Sequence, residues 1–186
     1  MKLRIIGGQL RGKKLNSVPG TITRPTADRV REAIFNILSS EVIDARVLDL
    51  FAGTGCLGLE ALSRGARYAA FIDSNPLPLS VIKKNILTCK FEGISHIYRC
   101  DLHQDMKRLS IVGNDFDLVF MDPPYNRGLV GPTLSRLETL GLLKKNAIVV
   151  VEHSPLEPIE ENISAFVIKD QRKYGKTLVS FLLNIL

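Results

Sequence analysis

Asp122-Pro123-Pro124-Tyr125 is the segment of this 186-residue chain best equipped for chemistry. It follows the apolar run Phe116–Met121, which reads as a buried strand, so the four residues stand at a strand's carboxyl end. Two prolines fix φ and remove two N–H donors, leaving carbonyl acceptors beside the Asp122 carboxylate. Acceptors next to a flat aromatic suit a planar ring bearing an exocyclic amine: they take the amine hydrogens while Tyr125 stacks on the ring face. A second constellation, Gly53-Thr54-Gly55-Cys56-Leu57-Gly58, satisfies G-x-G-x-x-G after the apolar run Val47–Phe51 and before a helical stretch. Asp73 follows about 20 residues later, the spacing of an acid that accepts hydrogen bonds from ribose hydroxyls. Loop and acid together fit an adenosine-bearing ligand, and by themselves they do not separate a nicotinamide cofactor from S-adenosylmethionine.

The elements that must position these residues alternate from Arg46 onward. Short apolar runs (Val47–Phe51, Tyr68–Ile72, Ile97–Tyr98, Phe116–Met121, Ala147–Val151) are separated by helical candidates near Leu57–Arg64, Leu77–Lys90 and Leu129–Leu140. That order predicts an α/β fold, a parallel sheet covered on both faces. Ala165–Lys169 and Thr177–Ile185 flank Gly175 with no helix between them and read as an antiparallel pair closing one sheet edge. Asp73, Asp101, Asp122 and Glu152 each come at or just after the end of an apolar run, while Asp49 lies inside the first. Singly each could cap a helix; as a set on one rim they point to a ligand rich in hydroxyls, amines or positive charge.

Upstream, Leu3-Arg4-Ile5-Ile6 and Lys13-Lys14-Leu15 read as two short strands, followed by a Pro19-Gly20 turn. Pro25-Thr26 opens a helix with Thr26 as its cap and apolar positions 30, 33, 34, 37 and 38 on one face. The chain therefore divides into a basic hairpin extension, 1–24, and a core, 25–186. Residues 1–31 carry eight Lys or Arg against the single acid Asp28, a charge of +7, which leaves −1 on the rest of a chain of net charge +6. A basic arm on a near-neutral body is the footprint of a phosphate-backbone binder.

Composition excludes other classes. With 45% apolar and 24% charged residues the chain is neither disordered nor fibrous. No apolar run approaches the roughly 20 residues of a membrane helix, and no secretory signal is present, so a cytoplasmic location is expected. Cys56, Cys89 and Cys100 form no C-x-x-C pair, which argues against a disulfide framework or zinc site. Gly7 through Lys13 fits G-x-x-x-x-G-K, but Lys14 stands where a phosphate loop needs Ser or Thr, and no helix follows. His96, His103 and His153 are scattered and receive no role; Phe35, Phe51 and Phe71 are read as core.

Asp49-Leu50-Phe51-Ala52-Gly53-Thr54-Gly55 together with Asp122-Pro123-Pro124-Tyr125 resembles the class I S-adenosylmethionine-dependent methyltransferases acting on exocyclic amines. More narrowly, the chain resembles the RsmD family, which methylates N2 of a guanine in bacterial 16S ribosomal RNA. The matching segments are Arg4–Gly8, Arg11–Lys13, Thr23–Thr26, Arg29–Glu32, Phe35-Asn36, Leu59–Ala66 and Tyr174–Thr177. The resemblance implies a Rossmann-like methyltransferase fold and S-adenosyl-L-methionine as cofactor. It implies that Asp49, Gly53 and Gly55 cradle the methionine part, Asp73 the ribose and Asp101 the adenine amine. Asp122, Pro123 and Tyr125 are then the catalytic residues, and Arg24, Pro25 and Thr26 line the cofactor or target side. Arg4, Arg11, Lys13, Lys14 and Arg24 would hold the RNA. The implied partner is 16S ribosomal RNA, alone or within the small ribosomal subunit or its assembly intermediate, met by a monomer without metal or membrane. The rivals are an NAD-dependent oxidoreductase, which leaves the Pro-Pro-Tyr segment unexplained, and a non-catalytic RNA-binding module, which leaves the acidic rim unexplained. Adenine N6 in DNA or RNA presents the same planar amine, and so does protein glutamine, whose enzymes usually carry Asn at the place of Asp122.

Overall fold

A computed structural model describes residues 3–18, 25–104, 106–159 and 164–186. Its helices are α1 (Pro25–Leu38), α2 (Cys56–Ser63), α3 (Pro76–Cys89) and α4 (Val130–Leu140). Its strands are β1 (Arg46–Leu50), β2 (Tyr68–Asp73), β3 (Ser95–Arg99), β4 (Phe116–Met121), β5 (Leu143–His153), β6 (Phe166–Tyr174) and β7 (Thr177–Asn184). They form one sheet in the order β3-β2-β1-β4-β5-β7-β6. The first five strands run parallel, and β7 pairs antiparallel with β5 and with β6. The expected α/β architecture with an antiparallel carboxyl-terminal edge is therefore the one observed.

Both faces of the sheet are covered because its central strands carry apolar residues at nearly every position, pointing to both sides. Val47, Ala69, Phe71, Leu118, Phe120 and Val150 pack with α1, α2 and α3; Leu48, Leu50, Ile72, Val119, Met121 and Val149 pack with α4 and the 3-10 turn Met106–Val112. Each fully buried aliphatic or aromatic side chain contributes roughly 1.5–3 kcal/mol.

Four departures from the sequence reading have identifiable causes. The two amino-terminal strands reduce to a single antiparallel bridge, Arg4 to Lys14, because Gly8–Leu10 winds into a 3-10 turn between them. Helix α1 buries Val30, Ile34, Phe35 and Leu38 and leaves Ile37 39% exposed. The core position at spacing i, i+3, i+4, i+7 is taken by Arg31, only 3% exposed, which an apolar count does not register. Strand β5 begins four residues before the apolar run at Ala147, with a register shift and Asn146 at φ 67° absorbing its polar start. Strand β6 extends through the charged stretch Lys169–Lys173 because it is an edge strand, mostly exposed along its length. The expected Pro19-Gly20 turn, Thr23 and Arg24 lie outside the described residues, as does the side chain of Thr26.

The amino-terminal segment is fastened to α2 and α3 by polar groups. Glu60, fully buried, accepts from the Ile6 amide (2.8 Å) and Arg64 Nε (2.8 Å), with Arg31 Nε 3.8 Å away. Arg31 Nη2 in turn donates to the Arg4 carbonyl (2.6 Å). Ser63 Oγ donates to the Gly7 carbonyl and accepts from the Leu10 amide, and Asn85 binds Asn16 and the Thr54 carbonyl. Arg31 also holds Asp28 at 3.1 Å, so Glu60→Ala would leave it one carboxylate while stripping the Ile6 amide and Arg64 Nε of their acceptor; a loss of about 1–3 kcal/mol is expected in urea unfolding. Glu60→Gln, which keeps an acceptor for Ile6, should lose less. A loss under about 1 kcal/mol for the alanine variant would contradict this anchoring role.

Candidate active site

The carboxyl ends of β1, β2, β4 and β5 set the site. Leu50 is in register with Ile72 and Met121, and Met121 with Val151. Asp73, Asp122 and Glu152, each at or just past these positions, therefore share one rim. Above it opens a cavity of about 630 Å³ whose wall includes Phe51, Gly53, Asp73, Asp101, Asp122, Pro123, Tyr125 and His103. Phe51, expected in the core, forms part of this wall: β1 ends at Leu50, and Phe51 turns the chain at φ 58° with its ring half-buried.

The three glycines of the loop do different work. Gly53, at φ 56°, lines the cavity, and a Cβ there would meet nothing closer than the Phe51 carbonyl at 3.9 Å, so the backbone presents itself to open space. Gly55 caps α2 at φ 74° and faces the core against Phe71 and Ile82. Gly58 permits close packing, since a Cβ would fall 2.4 Å from the Phe71 ring and 3.1 Å from Asp49 Oδ2. Asp73 clamps the loop: Oδ2 accepts from the Gly53 amide and Oδ1 from the Asn75 amide, both at 2.9 Å. Each oxygen keeps a further lone pair for a ligand hydroxyl. Asp101, also on the wall, accepts from the His103 amide at 2.9 Å.

Asp49 lies beneath the loop rather than on the cavity wall. It is 2% exposed and accepts from the Gly58 amide at 2.9 Å. Burial pushes its carboxyl up to about 8; the Gly58 amide opposes the shift and the Asp73 charge adds to it. A carboxyl raised above its ordinary 3.8 on folding contributes stability that is complete below that value and is lost as pH climbs to about 8. Asp49→Asn should therefore gain on the natural protein by about 4 kcal/mol between pH 5 and pH 9 in thermal unfolding, most of it below pH 8. An unchanged pH dependence of stability would refute this assignment.

Asp122 opens onto the cavity, and among the described residues no hydrogen bond to its carboxylate is seen. Its side chain is exposed to the cavity; desolvation against the rim, then the Glu152 and Asp49 charges, shift its carboxyl upward. Tyr125 is held rigidly. Its phenol donates to Glu152 Oε1 (2.7 Å) and sits 3.0 Å from Thr177 Oγ1, and the next amide, Asn126 N–H, donates to Glu157 Oε2 at 2.9 Å. Burial, reinforced by the Glu152 carboxylate and opposed by Thr177, keeps the phenol protonated well above its ordinary range. Glu157 and Thr177 as anchors are not legible locally, because they lie 31 and 52 residues from the groups they hold. His153 is a satisfied core histidine, bonded to Ser180 Oγ and to the Glu157 carbonyl.

The basic arm is elsewhere. Arg4, Arg11, Lys13 and Lys14 are exposed, and none lines the cavity. The turn at Gly8 packs on the Ser63 carbonyl at the far end of α2, about 10 Å below the rim at 1.5 Å per residue. Burial pushes up the thiol of Cys89, the last residue of α3, and Lys13 lies close enough to oppose part of that shift.

A family model described as conserved hypothetical protein 95 matches residues 3–183. The chain is 42% identical over 151 residues to ribosomal RNA small subunit methyltransferase D of Escherichia coli (strain K12), covering 81% of this chain and 74% of that protein. It is 33% identical over 178 residues to YlbH of Bacillus subtilis (strain 168), described as a candidate rRNA methyltransferase, covering 96% and 97%. A solved structure described as a candidate methyltransferase, yhhF of Escherichia coli, matches with a TM-score of 0.87 at 36% identity, over 100% of this chain and 99% of that one. With the fold, the glycine loop and the match along nearly its whole length in agreement, the chain belongs to the conserved hypothetical protein 95 family, the RsmD family of methyltransferases.

Proposed function

We propose that this chain transfers a methyl group from S-adenosyl-L-methionine to the exocyclic N2 of a guanine in 16S ribosomal RNA. One observation carries the reading: the bare Asp122 carboxylate and the clamped Tyr125 ring share a cavity wall with Gly53, Asp73 and Asp101. The cavity, about 630 Å³, is roomy enough for an adenosine ligand and a target base together.

The residues present fit the cofactor. Gly53 offers a backbone surface without a side chain, Asp73 retains lone pairs for ribose hydroxyls, Asp101 is a carboxylate for an adenine amine, and Asp49 fixes the loop from beneath through the Gly58 amide. When bound, S-adenosylmethionine supplies a methyl group on a positively charged sulfur, open to in-line displacement by a nitrogen lone pair. At rest the guanine N2 lone pair is delocalised into the ring. Hydrogen bonds from N2 to Asp122 and to the Pro123 carbonyl favour a pyramidal nitrogen and stabilise its developing positive charge. Stacking on Tyr125 holds the base in line, where alignment contributes several kcal/mol. The raised proton affinity of Asp122 suits it to accept the departing proton.

A base can reach this cavity only out of its stack, so an unpaired RNA segment is a cheaper substrate than a duplex. Arg4, Arg11, Lys13 and Lys14 would bind backbone phosphates remote from the chemistry, and Arg24 would add a further phosphate contact. The test is methyl-label transfer from labelled S-adenosylmethionine to unmodified small-subunit RNA, free and in ribosomal particles, with DNA and total protein in parallel. Label confined to RNA is expected; label in DNA or protein alone would overturn the substrate class, and no label anywhere would overturn the enzyme.

A further inference from the structure

Tyr174-Gly175-Lys176-Thr177 is the tip of the β6–β7 hairpin, with Tyr174 opposite Thr177 and Lys173 opposite Leu178. Strand β7 then pairs with β5 at His153–Leu178 and Glu152–Val179, so the tip stands level with the acidic rim. Thr177 Oγ1 lies 3.0 Å from the Tyr125 phenol and ties the tip to the wall that would receive the target base. Strand β6 is three places from β4 in the sheet, about 14 Å at the usual strand spacing.

Lys173 and Lys176 are exposed, and so is Arg127, two residues past Tyr125. Among the described residues no carboxylate pairs with any of the three, whereas Arg172 is paired with Asp170 at 2.9 Å. The cavity itself presents Asp73, Asp101 and Asp122. Such a rim repels a polyanion, so a strand that delivers one base into it needs cations gripping its phosphates close by. The amino-terminal arm does not meet that need, because its turn packs at the far end of α2.

We propose that the β6–β7 tip, through Lys173 and Lys176 with Arg127 beside it, is a second RNA-contact surface that holds the phosphates flanking the target nucleotide. The proposal rests on the RNA methyltransferase reading above. Lysines on an edge strand can also serve to block strand pairing. That role alters aggregation and leaves the salt dependence of RNA binding untouched.

The test compares Lys173→Gln/Lys176→Gln with the control Lys145→Gln/Arg136→Gln, which removes equal charge from the opposite end of β5 and from mid-α4. Affinity for unmodified small-subunit RNA is measured from about 50 to 300 mM salt, alongside affinity for S-adenosylmethionine and KM for RNA. The hairpin variant should bind RNA ~10-fold more weakly near 0.15 M salt, with its log–log salt slope reduced by about 1.4, two single-strand phosphate contacts. Its KM should rise in step and its cofactor affinity should be retained; Arg127→Gln should lower the slope further by about 0.7. The control should match the natural protein. An unchanged slope in the hairpin variant, or an equal loss in the control, overturns the hairpin assignment while leaving the activity standing. A natural protein that methylates no RNA removes the parent reading and this one together.

Discussion

Asp122→Ala is expected to lower turnover by roughly 100- to 1000-fold while changing affinity for S-adenosylmethionine by less than about threefold. The carboxylate has no described protein partner to lose and stands on the wall next to Tyr125, so its removal costs the reacting amine its acceptor and costs the fold little. The pH dependence follows from its raised carboxyl. The ionised form accepts the amine hydrogens, so activity should fall on the acid side at a pH above the ordinary carboxylate range. Asp122→Asn, which keeps one acceptor oxygen and cannot titrate, should lose that acid limb. Steady-state kinetics from pH 5 to 9 and calorimetric cofactor binding check both statements. An alanine variant within tenfold of the natural rate would contradict the role.

Tyr125→Ala should cost about 100-fold in turnover, because a misplacement of about 1 Å at the reacting nitrogen has that effect. Tyr125→Phe separates the ring from its hydroxyl. The ring that stacks is retained, while Glu152 Oε1 and Thr177 Oγ1 lose their partner, so a loss of no more than about tenfold is expected. If phenylalanine were as damaging as alanine, the phenol would be acting in the chemistry, and the stacking role assigned to the ring would be wrong.

Much of the site was legible in the sequence because it depends on local order. A strand, a glycine turn and a helix follow one another in the chain, and Asp73 and Asp122 come at strand ends that any parallel sheet brings to one rim. What failed to show was set by long-range contact. Arg31 fills a core position of α1 because the Arg4 carbonyl, 27 residues earlier, and Asp28 accept from it and buried Glu60 lies 3.8 Å away, and charge counting read it as part of a basic arm. Phe51 looked like strand core and lies on the cavity wall, since β1 ends one residue sooner than its apolar run. Lys13 and Arg11 read as part of an RNA-holding arm, and their distance from the chemistry was not legible: the packing of Gly8 on the end of α2 sets their turn well below the rim. The charged stretch of β6 carried no strand signal, because an edge strand with little buried surface needs no apolar alternation.

The central claim, methyl transfer to guanine N2 through the Asp122 pocket, is tested most directly by identifying the labelled nucleoside. Unmodified 16S RNA incubated with the protein and labelled S-adenosylmethionine is digested to nucleosides and resolved against standards, with the Asp122→Ala variant run beside it. The account predicts label in N2-methylguanosine alone, and about 100-fold less of it with the variant. Label in N6-methyladenosine, or undiminished label from the variant, would contradict it.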